Sequence, residues 1–313
     1  MIPRDRSVLG VPYSVLQFIS LLLPIWATAC APANHYLVHP RAPAPGILTS
    51  SHEVYRDELR IHIEVARPAG AGPFATVLVH PEGGTTADKM RGIIWDLAGR
   101  GYLAMAADYN RRVDGAYRPN LFAWRSPRDA AALVDIATAQ PDVDPRCIAV
   151  IGFSQGGVYS LLIAAYAPDR VASVVSYYPV TDFPHWFAQE RPNPLKRWAY
   201  SVVRWFFRQE SGATTDAEFE EMLRHASPYY VAEQIQAPVL LVHGDQDTTA
   251  PVEESERMAA RLQALGKPVE LLVVPDGVHI FNFRQRAHAA MAWDATLAWL
   301  DRTIGRECRS GSH

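Results

Sequence analysis

Ile148-Ala149-Val150-Ile151-Gly152-Phe153-Ser154-Gln155-Gly156-Gly157 runs an unbroken apolar segment straight into a turn and then into a helical pattern. Turning from strand to helix within so few residues brings two stretches of backbone together. It also forces the residue at the apex into a strained conformation. Glycine at 152 and 156 removes the side chains that would collide there. Ser154 is left at the tip with its hydroxyl exposed, and the helix that starts at Gln155 aims its first N–H groups at the same point. A Gly-x-Ser-x-Gly segment alone is often only a tight turn. The strand before it and the helix after it give it chemical meaning.

Outward from this turn the chain alternates between short apolar runs and helical periods. Strands are expected at Phe74–Val79, Tyr102–Ala107, Cys147–Gly152, Val171–Tyr178, Val239–Val242 and Val269–Val274. Helices are expected over Asp88–Arg100, Ser126–Gln140, Gln155–Tyr166, Val252–Leu265 and Arg284–Thr303. Glu53–Ala66 alternates apolar and polar positions, as a half-buried hairpin edge does. Strands that alternate with helices imply a mostly parallel central sheet flanked by helices.

A serine hydroxyl is a poor nucleophile until a base takes its proton. A histidine is therefore sought at the end of another strand, with an acid to orient it. His279 follows the strand Val269–Val274, whereas His288 falls inside the last helix. For the acid, Asp245 and Asp247 both lie just past the strand that ends at Val242, and Asp276 shares the loop of His279. After the strand at Phe74–Val79 comes His80-Pro81-Glu82-Gly83-Gly84. Proline has no N–H, so a backbone donor from this loop would be Glu82 or Gly83.

Residues 183–230 interrupt the alternation. The segment holds Trp186, Phe187, Trp198, Tyr200, Trp205, Phe206 and Phe207, with Arg191, Lys196, Arg197, Arg204 and Arg208 among them. It is expected as a helical lid insertion over the carboxyl ends of the strands, where open α/β sheets bind ligands. Two alternatives are a helix pair packing its aromatics on the core and an amphipathic face resting on a membrane.

The rest of the sequence sets limits. A net charge of -3 over 313 residues suggests no nucleic-acid partner. Arg4 and Arg6 precede an apolar run from Val8 to Trp26, which ends in Ala27-Thr28-Ala29-Cys30. Residues 1–29 are expected as a signal peptide or N-terminal anchor, with Cys30 a candidate for lipidation and export to the cell envelope as the consequence. An uncleaved N-terminal anchor or a lipidated Cys30 would tether the protein to a membrane, whereas cleavage after Ala29 would not. Residues 30–50 are rich in Pro and Ala and are expected as a linker, 51–304 as the catalytic domain and 305–313 as a flexible tail. Cys147 and Cys308 are expected to be unpaired thiols, a pair between them being the alternative.

The turn around Ser154, with acid and histidine following in chain order, resembles the α/β-hydrolases of the dienelactone hydrolase and carboxylesterase kind, over roughly residues 55 to 304. Gly-Phe-Ser-Gln-Gly-Gly at 152–157 is similar to carboxylesterases and lysophospholipases. Dienelactone hydrolases proper usually carry cysteine where this chain has Ser154. Ser227-Pro228-Tyr229-Tyr230, leading to Ala237-Pro238, is similar to the catalytic domain of prolyl-oligopeptidase-type peptidases. In those peptidases an aromatic residue commonly follows the serine, where Gln155 stands here, and a large N-terminal propeller precedes the domain, where this sequence has about fifty residues. The resemblance implies an α/β-hydrolase fold and a serine hydrolase acting on a small-molecule ester, with a peptidase or amidase as the alternative and a non-catalytic envelope binding protein as a third reading.

It further implies Ser154 as nucleophile, His279 as base and, through a His-Gly-x-x-Asp pattern at 243–247, Asp247 as acid. The amides of Gln155 and Glu82 form the implied oxyanion hole, and no metal or organic cofactor is required. The loop at His80–Gly84 resembles the His-Gly-Gly loops of esterases with Pro81 in place of a glycine. Glutamate in this loop is seen in dienelactone hydrolases, and the other reading of Glu82 is a solvated loop charge.

Overall fold

The computed structural model describes residues 35–113, 116–119, 127–189 and 193–305. The apolar run at Val8–Trp26, Cys30 and the tail from 306 lie outside the described residues. All the described elements belong to one compact unit, Asn34–His313, which contains the whole core described below.

The expected mostly parallel sheet is present. Its strands are β1 (Ile47–Arg56), β2 (Leu59–Pro68), β3 (Phe74–His80), β4 (Leu103–Val113), β5 (Ala116–Pro119), β6 (Val143–Phe153), β7 (Ser173–Tyr177), β8 (Val239–Gly244) and β9 (Val269–Val274). They lie in the order β1-β2-β4-β3-β6-β7-β8-β9, with β5 paired to β4. From β4 to β9 every neighbouring pair in that order is parallel, while β1, β2 and β5 pair antiparallel.

Composition explains the placement. β7 and β8 are buried along their whole length, as strands covered on both faces must be. β2 buries Leu59, Ile61 and Ile63 on one face. The Thr- and Ser-rich β1 lies exposed at the edge.

The helices are α1 (Arg91–Gly99), α2 (Pro127–Thr138), α3 (Gln155–Tyr166), α4 (Phe183–Ala188), α5 (Pro194–Ser211), α6 (Asp216–His225), α7 (Glu253–Ala264) and α8 (Arg286–Leu300). α3, the helix behind the turn, is buried from Gly156 to Ala165. A helix apolar on all sides belongs inside a domain, and α3 sets the serine at the start of a buried helix.

Between β7 and β8 the chain makes a helical insertion, α4 to α6, closed by a 3₁₀ turn at Pro228–Gln234. Asn193 caps α5 by accepting from Leu195 and Lys196 N–H, and Thr215 with Glu218 forms a capping box on α6. Of the aromatics expected under a lid, Trp186, Tyr200 and Phe207 are buried in the core, whereas Trp198 and Trp205 are exposed. Trp186 Nε1 and Tyr200 Oη each donate to the Thr249 carbonyl at 2.9 Å. The packing alternative therefore accounts for part of the aromatic crowding.

Two expectations need correction. The Pro/Ala-rich stretch is not a free linker from His35 onward. Tyr36 stacks on Trp95 (6.3 Å between centroids) and His39 meets Trp293 edge-on (4.6 Å). A Cβ on Gly92 would lie 2.7 Å from the Tyr36 ring, so α1 has no side chain where this arm crosses it. Composition reads as a linker because proline and alanine dominate it, but the aromatic and histidine side chains between them anchor it. The sheet then begins at Ile47, ahead of the boundary expected at 51. Cys147, expected as a free thiol, is disulfide-bonded, and its partner lies outside the described residues.

The entrance of the insertion is fastened to α7. Thr181 and Asp182 both donate their N–H to Glu254 Oε2 at 2.9 Å, and Arg257 pairs with Asp182 at 2.8 Å. Glu254 is fully buried, and its Oε1 has no hydrogen-bond partner. Burial pushes its carboxyl up to about 7, with the two N–H bonds opposing. A pKa raised by folding gives stability that is present at low pH and is lost as pH rises through the folded value. Wild-type protein is thus expected to lose on the order of 2–3 kcal/mol of stability between about pH 5 and pH 8 through this one group. Urea unfolding at both pH values should show Glu254→Gln removing that part of the slope, since the amide oxygen still accepts both N–H groups. An unchanged slope would refute the assignment.

Candidate active site

Ser154 has φ 52° and ψ −112°, a conformation that L-residues avoid and that only tight surrounding packing sustains. A Cβ on Gly152 would lie 1.8 Å from the Gly156 carbonyl oxygen, and one on Gly156 would lie 2.1 Å from that of His80. The turn therefore closes against itself and against the end of β3. Ser154 N–H donates to the Tyr177 carbonyl at 2.9 Å, which ties the apex to β7 as well.

The structure brings the three sequence-expected side chains together. Ser154 Oγ lies 3.0 Å from His279 Nε2, and His279 Nδ1 lies 2.6 Å from Asp247 Oδ2. Because a carboxylate only accepts, Nδ1 carries the proton and Nε2 is left to accept the serine O–H. Asp247 Oδ1 accepts from Thr249 N–H (2.8 Å) and Ala250 N–H (2.9 Å), so both oxygens of this buried carboxylate are bonded. Burial alone would raise its pKa. The His279 charge, together with hydrogen bonds from His243 and His279, outweighs burial and holds it well below the usual carboxylate range.

The choice between the two aspartates follows from the same geometry. Asp245 Oδ1 accepts the Asp276 N–H at 2.8 Å and so braces the two loops rather than reaching the imidazole. Those loops meet where a Cβ on Gly244 would be 2.1 Å from the Gly277 carbonyl, so glycine at 244 lets the acid and histidine loops touch. Asp276 enters only through its backbone, at φ 58°.

Two residues of the site were not given a role by sequence reasoning. His243 is fully buried and donates from Nε2 to the Ala250 carbonyl (2.7 Å), with Nε2 3.5 Å from Asp247 Oδ2. Its Nδ1 accepts from Ser255 Oγ at 2.7 Å. It thus clamps the acid loop while turning a positive edge to Asp247. The signal for it was its place at the head of the His-Gly-x-x-Asp pattern. Tyr178 packs edge-on against the His279 ring at 5.0 Å and hydrogen-bonds Asn282. Burial first, then the charges of Glu82 and Asp247, push its phenol well above the ordinary range, so it stays neutral.

The loop His80–Gly84 lies directly against the turn, since a Cβ on Gly83 would be 2.7 Å from Gln155 Oε1. Glu82 is not a solvated loop charge: it is buried, and its Oε1 accepts from His35 Nε2 (2.7 Å) and Thr85 Oγ1 (3.1 Å). His80 is fully buried, and burial lowers its pKa to about 3, so its imidazole is neutral. Beside this loop a small open cleft is lined by Glu82, Thr86, Asn110, Gln155 and Tyr159 among others.

The model of the prolyl oligopeptidase family matches residues 93–307, which take in the turn, the insertion and both loops. The chain belongs to the prolyl oligopeptidase family. The chain is 28% identical over 224 residues to the uncharacterised peptidase YtmA of Bacillus subtilis, covering 71% of this chain and 82% of that protein. It is also 27% identical over 259 residues to an Escherichia coli K12 protein whose name marks carboxymethylenebutenolidase as a provisional assignment, covering 77% and 82%. The acylaminoacyl peptidase of Pyrococcus horikoshii superposes with a TM-score of 0.68 at 17% identity, covering 84% of this chain and 43% of that one. The Thermogutta terrifontis esterase Est2, solved with butyrate, superposes at 0.57 with 23% identity, covering 82% and 93%. This family member therefore has the α/β-hydrolase fold and is a serine hydrolase by kinship. It spans less than half of the length of the Pyrococcus peptidase.

The family assignment and the geometry together make a discriminating expectation. Asp247→Asn should slow labelling of Ser154 by a fluorophosphonate by about 10³–10⁴-fold, because an amide favours the wrong imidazole tautomer. Asp245→Asn should cost less than tenfold, by loosening the loop brace. The reverse order of damage, read from labelling rates, would mean that Asp245 is the acid.

Proposed function

We propose that this serine hydrolase cleaves carboxylic esters of small molecules through an acyl-enzyme on Ser154. The observation that carries the reading is the unbroken hydrogen-bonded series from Ser154 Oγ to His279 and on to the buried Asp247 carboxylate. As Ser154 Oγ attacks the ester carbonyl, its proton passes to His279 Nε2, and Asp247 stabilises the imidazolium. The oxyanion is received by the amides of Gln155 and Glu82, each contributing about 3 kcal/mol of transition-state stabilisation in sites of this type. Breaking the C–O bond returns the proton from Nε2 to the departing alcohol. Water, deprotonated by the same nitrogen, then releases the acid and restores Ser154.

An ester is favoured over a peptide by relatives of similar length with ester- and lactone-cleaving names. The peptidase reading draws on the family match and on the Bacillus relative. The reading also includes export to the envelope by the N-terminal apolar run that ends at Ala27-Thr28-Ala29-Cys30.

p-Nitrophenyl butyrate and a dipeptide p-nitroanilide, offered to the same preparation, separate the two. The ester reading expects ester turnover with kcat/KM at least about 10²-fold above that of the anilide, and its loss by about 10³-fold or more in Ser154→Ala. Anilide cleavage that exceeds ester cleavage would hand the site to the peptidase reading. Turnover that survives in Ser154→Ala would remove Ser154 from the chemistry altogether.

A further inference from the structure

α5 is apolar on two sides, one buried against the body and one carrying exposed residues. Tyr200 and Phe207 are buried against the body, and Arg204 lies over the rings of Phe187 (5.6 Å) and Phe219 (4.9 Å) while pairing with Glu220. On the other side, Leu195, Trp198, Val202 and Trp205 follow one another at i, i+3, i+7 and i+10, the spacing of a single helical face. The three largest exposures on this face are 54% for Leu195, 47% for Trp198 and 44% for Trp205. A helix held on a soluble surface needs one apolar face, so a second, with two exposed tryptophans, requires another explanation.

Charge decides what kind of surface would cover it. α5 carries Lys196, Arg197, Arg204 and Arg208 against the single acid Glu210. Arg204 and Arg208 are engaged with Glu220 and Asp216, but Lys196 and Arg197 are exposed next to Leu195 and Trp198. Tryptophan with flanking Lys and Arg suits the interface of an anionic bilayer, where the rings sit at headgroup depth and the cations meet phosphate.

We infer that the outer face of α5, with Leu195, Trp198 and Trp205 as its apolar contacts and the exposed Lys196 and Arg197 flanking it at the start of the helix, docks the protein on an anionic lipid bilayer. The sequence agrees from another direction. The apolar run ending at Trp26 stops nine residues before His35 packs on the body, so a chain held by that run stays within about 30 Å of the membrane. Because Tyr200 bonds the Thr249 carbonyl, the docking helix is tied to the loop that carries Asp247, and the bilayer would hold the site in a set orientation.

The inference stands apart from the ester reading, and its test scores the two separately. The unit Asn34–His313, with its own core and without the apolar run, is mixed with vesicles of phosphatidylglycerol and phosphatidylethanolamine, and with vesicles of phosphatidylcholine alone. The expected result is co-sedimentation with the anionic vesicles and a blue-shifted tryptophan emission. Binding to phosphatidylcholine should be at least about tenfold weaker. Trp198→Ser with Trp205→Ser should weaken anionic-vesicle binding by about tenfold or more, and Lys196→Gln with Arg197→Gln should weaken it and flatten its salt dependence. Turnover of a soluble ester should be unchanged in both variants, because none of these residues touches the site. A folded wild type that sediments with no vesicle overturns the inference. So do tryptophan substitutions that convert a dimer to a monomer while leaving vesicle binding intact, which would make a second copy the occupant.

Discussion

The close approach of backbone to backbone at Gly152, Gly156 and His80 is the constraint on which the rest of the molecule depends. A single added carbon at either glycine would fall about 2 Å from a carbonyl oxygen, inside any tolerable contact. The strands β6 and β3 must therefore end side by side, and α3 must start at once, buried from Gly156 to Ala165. Ser154 is held in its strained conformation by that closure and by its N–H bond to Tyr177. The sheet order follows the same logic. β3, β6, β7, β8 and β9 end at one edge, so the His80–Gly84 loop, Ser154, the Asp247 loop and the His279 loop converge there without long excursions.

Charge is managed at that edge by surrounding one buried carboxylate with donors. Asp247 receives two backbone N–H groups, the His279 N–H and the positive edge of His243, and it remains ionised despite complete burial. An ionised Asp247 fixes the tautomer of His279 and leaves Nε2 free to act on Ser154. Glu254 shows how strongly the outcome depends on partners: it is buried with one oxygen unpartnered, and its pKa is pushed up to about 7.

Much of this was legible in the sequence because it rests on local pattern. The apolar run into Gly-x-Ser-x-Gly, the order of acid and histidine, and the alternation of strand and helix are properties of short windows, and the structure keeps them all. What was not legible depended on contacts across the fold. Asp245 and Asp247 differ by two positions in one loop, and only the seating of that loop on β9 tells the brace from the partner of His279. His35, Tyr36 and His39 looked like interruptions in a Pro/Ala linker until α1 and α8 supplied the rings they pack on. The state of Cys147 depends on a partner distant in the chain. The aromatic crowding at 183–230 gave the insertion away, but sequence alone could not sort its inward residues, Trp186, Tyr200 and Phe207, from its outward ones, Trp198 and Trp205.

The central claim is that Ser154, activated through His279 and Asp247, carries the acyl group during turnover. The most direct measurement is an acid quench during turnover of an activated ester, followed by peptide mass spectrometry of the trapped enzyme. The account predicts an acyl group on Ser154 in the wild type that decays once the substrate is exhausted. Steady ester turnover with Ser154 unmodified throughout, or with the acyl group on another side chain, would contradict it.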